Sequence, residues 1–279
     1  MARQLQLIVL LGLTLLAAWY GLRRYAQPDP LAQRMKSLLA TRPADAVACT
    51  TFTRTRPLVL LVLGQSNAGN HGSLSTSKDA PVAVQSGAIC ALATDPLPGA
   101  TAQGGSIWLH LPALLQPQTP GRTVVLSVLA LDSTSIDDWT RPGSPIAQRL
   151  IAQVQALQQS GMAPDFVLWQ QGEADARANT GAASYLAGLN RLAALLSKAG
   201  VGAPVMLAHS TVCGSGPDAA VRSAVSEAVR TNPRFLQGPD TDLLGDAYRR
   251  DGCHFHAEGL RLAAQAWAQQ LSPRLSAVR

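Results

Sequence analysis

A chain of 279 residues with 47% hydrophobic content can bury one substantial core. Setting aside an N-terminal segment leaves about 230 residues, within single-domain size. The formal charge of +6 would suit a nucleic-acid ligand, but the Arg and Lys residues are scattered, with no basic run and no stripe interleaved with aromatics. That distribution describes a solvated surface and argues against nucleic acid as a partner.

The chain opens MARQLQLIVLLGLTLLAAWYGLRRYAQPDP, in which Leu5 to Leu22 carries no ionised side chain and Arg3, Arg23 and Arg24 flank the apolar stretch. Its length suits one membrane-spanning helix with Trp19 and Tyr20 near an interface. Residues 1–25 are therefore expected to be a membrane anchor, with a cleaved signal peptide as the alternative. Against cleavage, the apolar core is long and no good Ala-x-Ala site follows at once. Arg23 and Arg24 outnumber Arg3, which by the positive-inside rule would put the following domain in the cytoplasm. The cysteines point the other way. Cys49, Cys90, Cys213 and Cys253 are four in number, an even count that fits an oxidising compartment, and none has Cys-x-x-Cys spacing. Two bridges, Cys49 with Cys90 and Cys213 with Cys253, are expected, four inert thiols being the alternative. The domain is expected to be periplasmic or extracellular.

Residues 26–56, with Pro28, Pro30 and Pro43, have little apolar periodicity and look like a linker with one short helix near Leu31 to Ala40. From there strand-like apolar runs appear at Leu58–Leu63, Thr123–Leu129, Phe166–Trp169, Val205–Ala208 and, weakly, Arg234–Leu236. Stretches with helical spacing alternate with them at Ile146–Gln159, Ala182–Ala199, Ala219–Thr231 and Ala257–Leu271, with a shorter one near Ile107–Leu115. Alternation of this kind predicts a three-layer α/β/α domain over residues 57–279, flavodoxin-like, with a central parallel sheet. Reactive groups should then gather beyond the carboxyl ends of the strands. The segments there are Gly64–Asn67, Leu131–Trp139, Gln170–Asp175, His209–Gly216 and Asp246–His256.

Several residues in those loops could do chemistry. Ser66, in GQSNA directly after the first long strand, could be a nucleophile if a base takes its proton, although most serines after a strand are turn or N-cap residues. In RRDGCHFHAEG, Asp251 and His254 are three positions apart. One turn could therefore bring the carboxylate to the imidazole Nδ1–H and leave Nε2 for a nucleophile. His256 is a rival base. His254 and His256, with His209 or His71, could also form a metal site, but further ligands after other strands are sparse and no metal is expected. In LWQQGEADA, the Gln171 amide could donate to an oxyanion beside Gly172. GGSIW, Gly104 to Trp108, leads glycines into a helix where a backbone N–H could meet an anion.

In order, GQSNA, GGSIW, STSIDDW, WQQGEAD and DGCH resemble the blocks of the SGNH hydrolases, in particular the sialate O-acetylesterase-like carbohydrate esterases. The likeness runs from about Leu58 to Leu271. The resemblance implies Ser66 as nucleophile with His254 and Asp251 completing a triad. It further implies an oxyanion hole from the Ser66 N–H, Gly105 (or Gly104) and Gln171, with Gln65, Asn67 and Glu173 in support. Two features depart from the pattern. Asp132, Ser133, Thr134 and Ser135 precede Trp139 where related sequences often carry Gly-Gly-Thr-Ser, and Cys253 sits inside the Asp-x-x-His spacer. A nucleophile elbow of the α/β-hydrolase kind is the competing scheme. There, several strands precede the serine and the acid lies well before the histidine, unlike here. The implied activity is removal of O-acetyl groups from a carbohydrate without metal or organic cofactor. Acetyl transfer to a sugar hydroxyl and non-catalytic carbohydrate binding are the alternatives.

Overall fold

The computed structural model describes residues 29–40, 46–53, 56–74, 82–87 and 89–275. The expected anchor at Leu5 to Leu22 lies outside them. Among the described residues no helix is long and apolar enough to cross a membrane. The chain divides into two units, Met1–Lys36 and Ser37–Arg279. In the first, helix Pro30–Arg34 starts on Asp29, whose side chain accepts the Leu31 N–H at 2.8 Å.

The second unit is built on eight strands: β1 Val47–Ala48, β2 Leu58–Gly64, β3 Val82–Ser86, β4 Ile89–Leu92, β5 Val124–Ala130, β6 Phe166–Gln170, β7 Val205–His209 and β8 Phe235–Asp240. They form one sheet in the order β1-β4-β3-β5-β2-β6-β7-β8. From β3 to β8 all neighbours are parallel, while β4 runs antiparallel to β3 and β1 antiparallel to β4. The sheet is therefore mixed, a correction to the parallel sheet expected from the sequence. The reason is local: VAVQS and ICAL are short, carry Ala, Gln and Ser, and fold back through a turn in which Gly87 has φ +62, so no long aliphatic run marks them.

The five expected strands are β2, β5, β6, β7 and β8. β2 lies inside the sheet and is buried at every position. Leu58, Leu60 and Val62 share a core with Trp108, Leu111, Trp267 and Leu271 from helices or loops on one face. The alternate residues of each strand point to the other face, where helix Pro145–Gln159 sends Gln153 Nε2 to Ser127 Oγ of β5 at 2.7 Å. Helices on both faces give the three layers. Burying both faces of a strand is why β2 reads LVLLVL rather than alternating.

Both expected disulfides are made. Cys49–Cys90 ties the end of β1 to β4, so residues 47–53, read as linker, contribute a strand and helix Thr50–Thr53 to the second unit. Cys213–Cys253 ties the loop after β7 to the loop before the last helix, Ala257–Leu275.

Candidate active site

β2 leaves the sheet at Gly64, where φ is +152 and a Cβ would fall 2.0 Å from the Gln170 carbonyl oxygen. Only glycine allows that exit. Gln65 is extended, and Ser66–Ala68 then make one 3₁₀ turn, closed by Gly69 N–H to Ser66 O at 2.9 Å. Side chains from distant blocks hold this turn. Trp108 Nε1 donates to Ala68 O at 2.7 Å, and Gln65 Oε1 accepts the Ala174 N–H at 3.1 Å. Ser66 itself is 5% exposed. Neither its hydroxyl nor its N–H makes a hydrogen bond among the described residues.

The loop before the last helix carries the second pair. Asp251 Oδ1 accepts the N–H groups of Cys253 at 3.0 Å and His254 at 2.7 Å, and Oδ2 lies 2.8 Å from His254 Nδ1. Partial burial pushes the Asp251 carboxyl up, but these donors outweigh it and bring it down to about 2. An ionised carboxylate only accepts, so the hydrogen between the two groups sits on Nδ1 and the Nε2 lone pair is left for a proton. Buried Arg249 braces the loop, donating to Leu244 O at 2.8 Å, to Thr241 O at 3.0 Å and to Cys253 O, and lying 4.5 Å over the Phe255 ring.

The two loops run side by side. Asn67 Nδ2 donates to Cys253 O at 3.2 Å, the His71 and His254 rings stack with centroids 4.8 Å apart, and Ser73 N–H donates to Phe255 O at 3.3 Å. Three consecutive residues of the base loop thus meet three positions of the nucleophile loop. This brings the neighbourhoods of Ser66 and His254 together, although no hydrogen bond joins Ser66 Oγ to His254.

The WQQGEAD block forms the floor. Gly172, with φ +155, would place a Cβ 2.6 Å from Ser210 O. Glu173 is fully buried; its Oε1 accepts from Asn67 Nδ2 at 2.7 Å and Ser210 Oγ at 2.8 Å, while Oε2 has no partner. Burial pushes this carboxyl up to about 7 against those two donors. Gln171 is equally buried and fully engaged. Its Nε2 reaches Thr134 O at 2.8 Å, Asp175 Oδ2 at 2.7 Å and Gln65 Oε1 at 3.2 Å, and its Oε1 accepts from Tyr185 Oη at 2.8 Å. The Gly105 N–H donates to Gly72 O at 2.9 Å and the Gly104 N–H to Asn70 O at 2.8 Å. Of the expected oxyanion donors, the Ser66 N–H is the one left unengaged.

Two further histidines, His256 and His209, are committed elsewhere. His256 Nε2 lies 2.6 Å from Ala247 O, and its Nδ1 accepts the Glu258 N–H at 3.1 Å. His209 sits 3.3 Å from Ser226 Oγ and 3.9 Å from Asp240. Among the described residues no group of three His, Cys, Asp or Glu gathers as metal ligands.

Residues 57–272 match the family of carbohydrate esterases described as sialic acid-specific acetylesterase. The chain belongs to this family. As a member it is a carboxylic ester hydrolase of the acetylesterase type. No curated protein matches it in sequence. Among solved structures, a protein from Arabidopsis thaliana is similar with TM-score 0.60 at 18% identity, covering 79% of this chain and 98% of its own. NanS is similar with TM-score 0.52 at 17% identity over 79% of this chain and 96% of its own. A family 3 carbohydrate esterase from Clostridium thermocellum follows with TM-score 0.50 at 13% identity over 80% and 98%. At these identities the likeness is one of fold.

Within this acetylesterase-family domain, sequence reasoning overlooked the surroundings of His71. Thr101 Oγ1 lies 3.3 Å from His71 Nε2 and accepts the Asp132 N–H at 3.2 Å. No motif announces Thr101, which comes from an irregular segment between β4 and β5.

Proposed function

We propose that this chain removes O-acetyl groups from a carbohydrate through a Ser66–His254–Asp251 acyl-enzyme mechanism. The observation that carries this reading is the 2.8 Å Asp251–His254 pair on a loop clasped against the Ser66 turn. His254 Nε2 takes the Ser66 proton as Oγ bonds to the acetyl carbonyl carbon, and the Ser66 N–H meets the developing oxyanion. The ester bond to the sugar breaks, the proton passes from His254 to the leaving sugar oxygen, and an acetyl-enzyme remains. Water then attacks, losing its proton to the same Nε2, and acetate leaves with Ser66 Oγ reprotonated. Gly105 and Gln171 would join the oxyanion hole only by leaving their present acceptors. A cleft of about 350 Å³ lined by Val212, Gly214, Asp246 and Gly252 adjoins the base loop at Gly252.

We further propose that the domain is tethered by the N-terminal apolar segment and lies outside the cytoplasm; the two disulfides support the oxidising compartment. Hydrolysis of p-nitrophenyl acetate by wild type, Ser66→Ala and His254→Ala, with a chelator control, tests the mechanism. Loss in both variants with the chelator harmless is expected. Activity surviving Ser66→Ala would overturn it.

A further inference from the structure

Among the described residues His254 has one ring hydrogen bond, to the Oδ2 of an Asp251 whose side chain is 45% exposed. A single bond to an exposed carboxylate fixes the direction of Nδ1 but leaves the plane of the imidazole to rotate about it. The face of His254 is covered by His71, with centroids 4.8 Å apart and planes within 23°. His71 is itself anchored: its Nε2 lies 3.3 Å from Thr101 Oγ1. Thr101 is fastened to the sheet by its N–H to Ala130 O at 3.0 Å, and its carbonyl accepts the N–H of Asn70, the residue before His71, at 3.1 Å. The Asp132 N–H donates to Thr101 Oγ1, so the hydroxyl hydrogen is available for His71 Nε2. The platform beneath the base is thus a residue of the nucleophile loop anchored on β5 and its flanking loops, not on the base loop.

We propose, resting on the serine-esterase reading above, that His71 is a positioning residue. It holds the His254 ring in the plane that serves Ser66, and it presents an uncharged aromatic face to the imidazolium formed when His254 takes the proton. A neutral ring face under a cation is favourable, whereas a second cation there would oppose the proton transfer. Burial and then the neighbouring His254 bring His71 down to about 4, with Arg250 acting the same way and Asp132 and Asp251 acting against. Among the described residues these four are the ionisable groups facing it, and His71 is uncharged at neutral pH.

The test is steady-state hydrolysis of p-nitrophenyl acetate by the full chain across about pH 5 to 9, comparing wild type, Ser66→Ala, His71→Ala, His71→Phe and His71→Lys, with thermal unfolding of each. In His71→Ala, kcat should fall about tenfold or more with KM changed less than about threefold, since a misplaced base loses rate rather than binding. His71→Phe should restore most of kcat with the acid limb of the pH profile unmoved. His71→Lys should shift that limb to lower pH, the direction in which an adjacent cation moves a base. Wild-type kcat in His71→Ala, or a Phe variant as slow as the Ala variant at equal stability, would overturn the proposal while leaving the serine mechanism intact. Disappearance of the acid limb in His71→Phe would overturn it too, by making His71 the base. Activity in Ser66→Ala would instead sink the serine reading, and this proposal with it.

Discussion

Asn67 Nδ2 lies 3.2 Å from the carbonyl oxygen of Cys253 and 2.7 Å from Glu173 Oε1, so one buried amide joins the nucleophile turn, the base loop and the floor of the site. Asn67→Ala removes both links at once and leaves the Glu173 carboxyl with Ser210 as its remaining side-chain donor. Stability should fall by about 1–3 kcal/mol, the range for stranding a buried polar partner. kcat should fall by about tenfold or more, because the two loops lose their register. Urea unfolding and steady-state kinetics on the same preparation check both, and an unchanged kcat would show that the loops keep their register without Asn67.

Asp251→Asn probes the orienting carboxylate. An amide can present N–H where Oδ2 now accepts from His254 Nδ1, which favours the tautomer with its hydrogen on Nε2 and removes the base. On the serine-triad reading kcat drops by roughly 10²–10⁴-fold with little change in KM. The upper figure comes from a buried aspartate in another protein, and the 45% exposure of Asp251 places this site toward the lower one. A loss of less than about threefold would remove Asp251 from the mechanism.

Glu173 makes stability depend on pH. Its folded value of about 7 lies above the ordinary 4.5, so between those values the folded state keeps a proton that the unfolded chain has lost. Stability from this group is therefore highest below about pH 4.5, falls as pH rises through that window, and stays lowered above about 7. At about 1.4 kcal/mol per pH unit the loss is on the order of 3 kcal/mol. Glu173→Gln cannot ionise, so its stability relative to wild type should improve from about pH 5 to about pH 8. Denaturant unfolding at both pH values reads this directly, and parallel changes in the two proteins would refute the assignment.

The two disulfides should separate stability from activity. Each spans a similar stretch, 41 residues for Cys49–Cys90 and 40 for Cys213–Cys253, so removing either by paired Cys→Ser changes should cost about 2–4 kcal/mol. Only the second touches the base loop. Loss of Cys49–Cys90 should leave kcat near wild type, whereas loss of Cys213–Cys253 should lower kcat about tenfold by loosening Asp251 and His254. Equal kcat in the two double variants would mean that Arg249 and Asn67 hold the base loop without the bridge.

Much of this was legible in the sequence because the information is local. LVLLVL announces a strand buried on both faces, the alternation of apolar runs with helical periods announces three layers, and DGCH places an aspartate and histidine within one turn. Those features depend on neighbours along the chain, and the structure has them where the periodicity put them. The short antiparallel strands β3 and β4 were not legible, since VAVQS and ICAL lack a long aliphatic run and become strands only when an edge of the sheet is there to receive them.

Which polar groups pair across the site was decided by tertiary structure alone. Gln171 and Gly105 looked like free donors in the sequence, yet folding gives them Thr134, Asp175 and Gly72 as acceptors. His71 looked like a stray ligand, yet it lies under His254 on a support that begins at Thr101. Sequence determines which residues carry donors, acceptors and apolar faces. A buried hydrogen bond also needs a partner within about 3 Å, and here, apart from Asp175 four positions from Gln171, those partners lie 30 to 186 positions away, brought close only by the sheet.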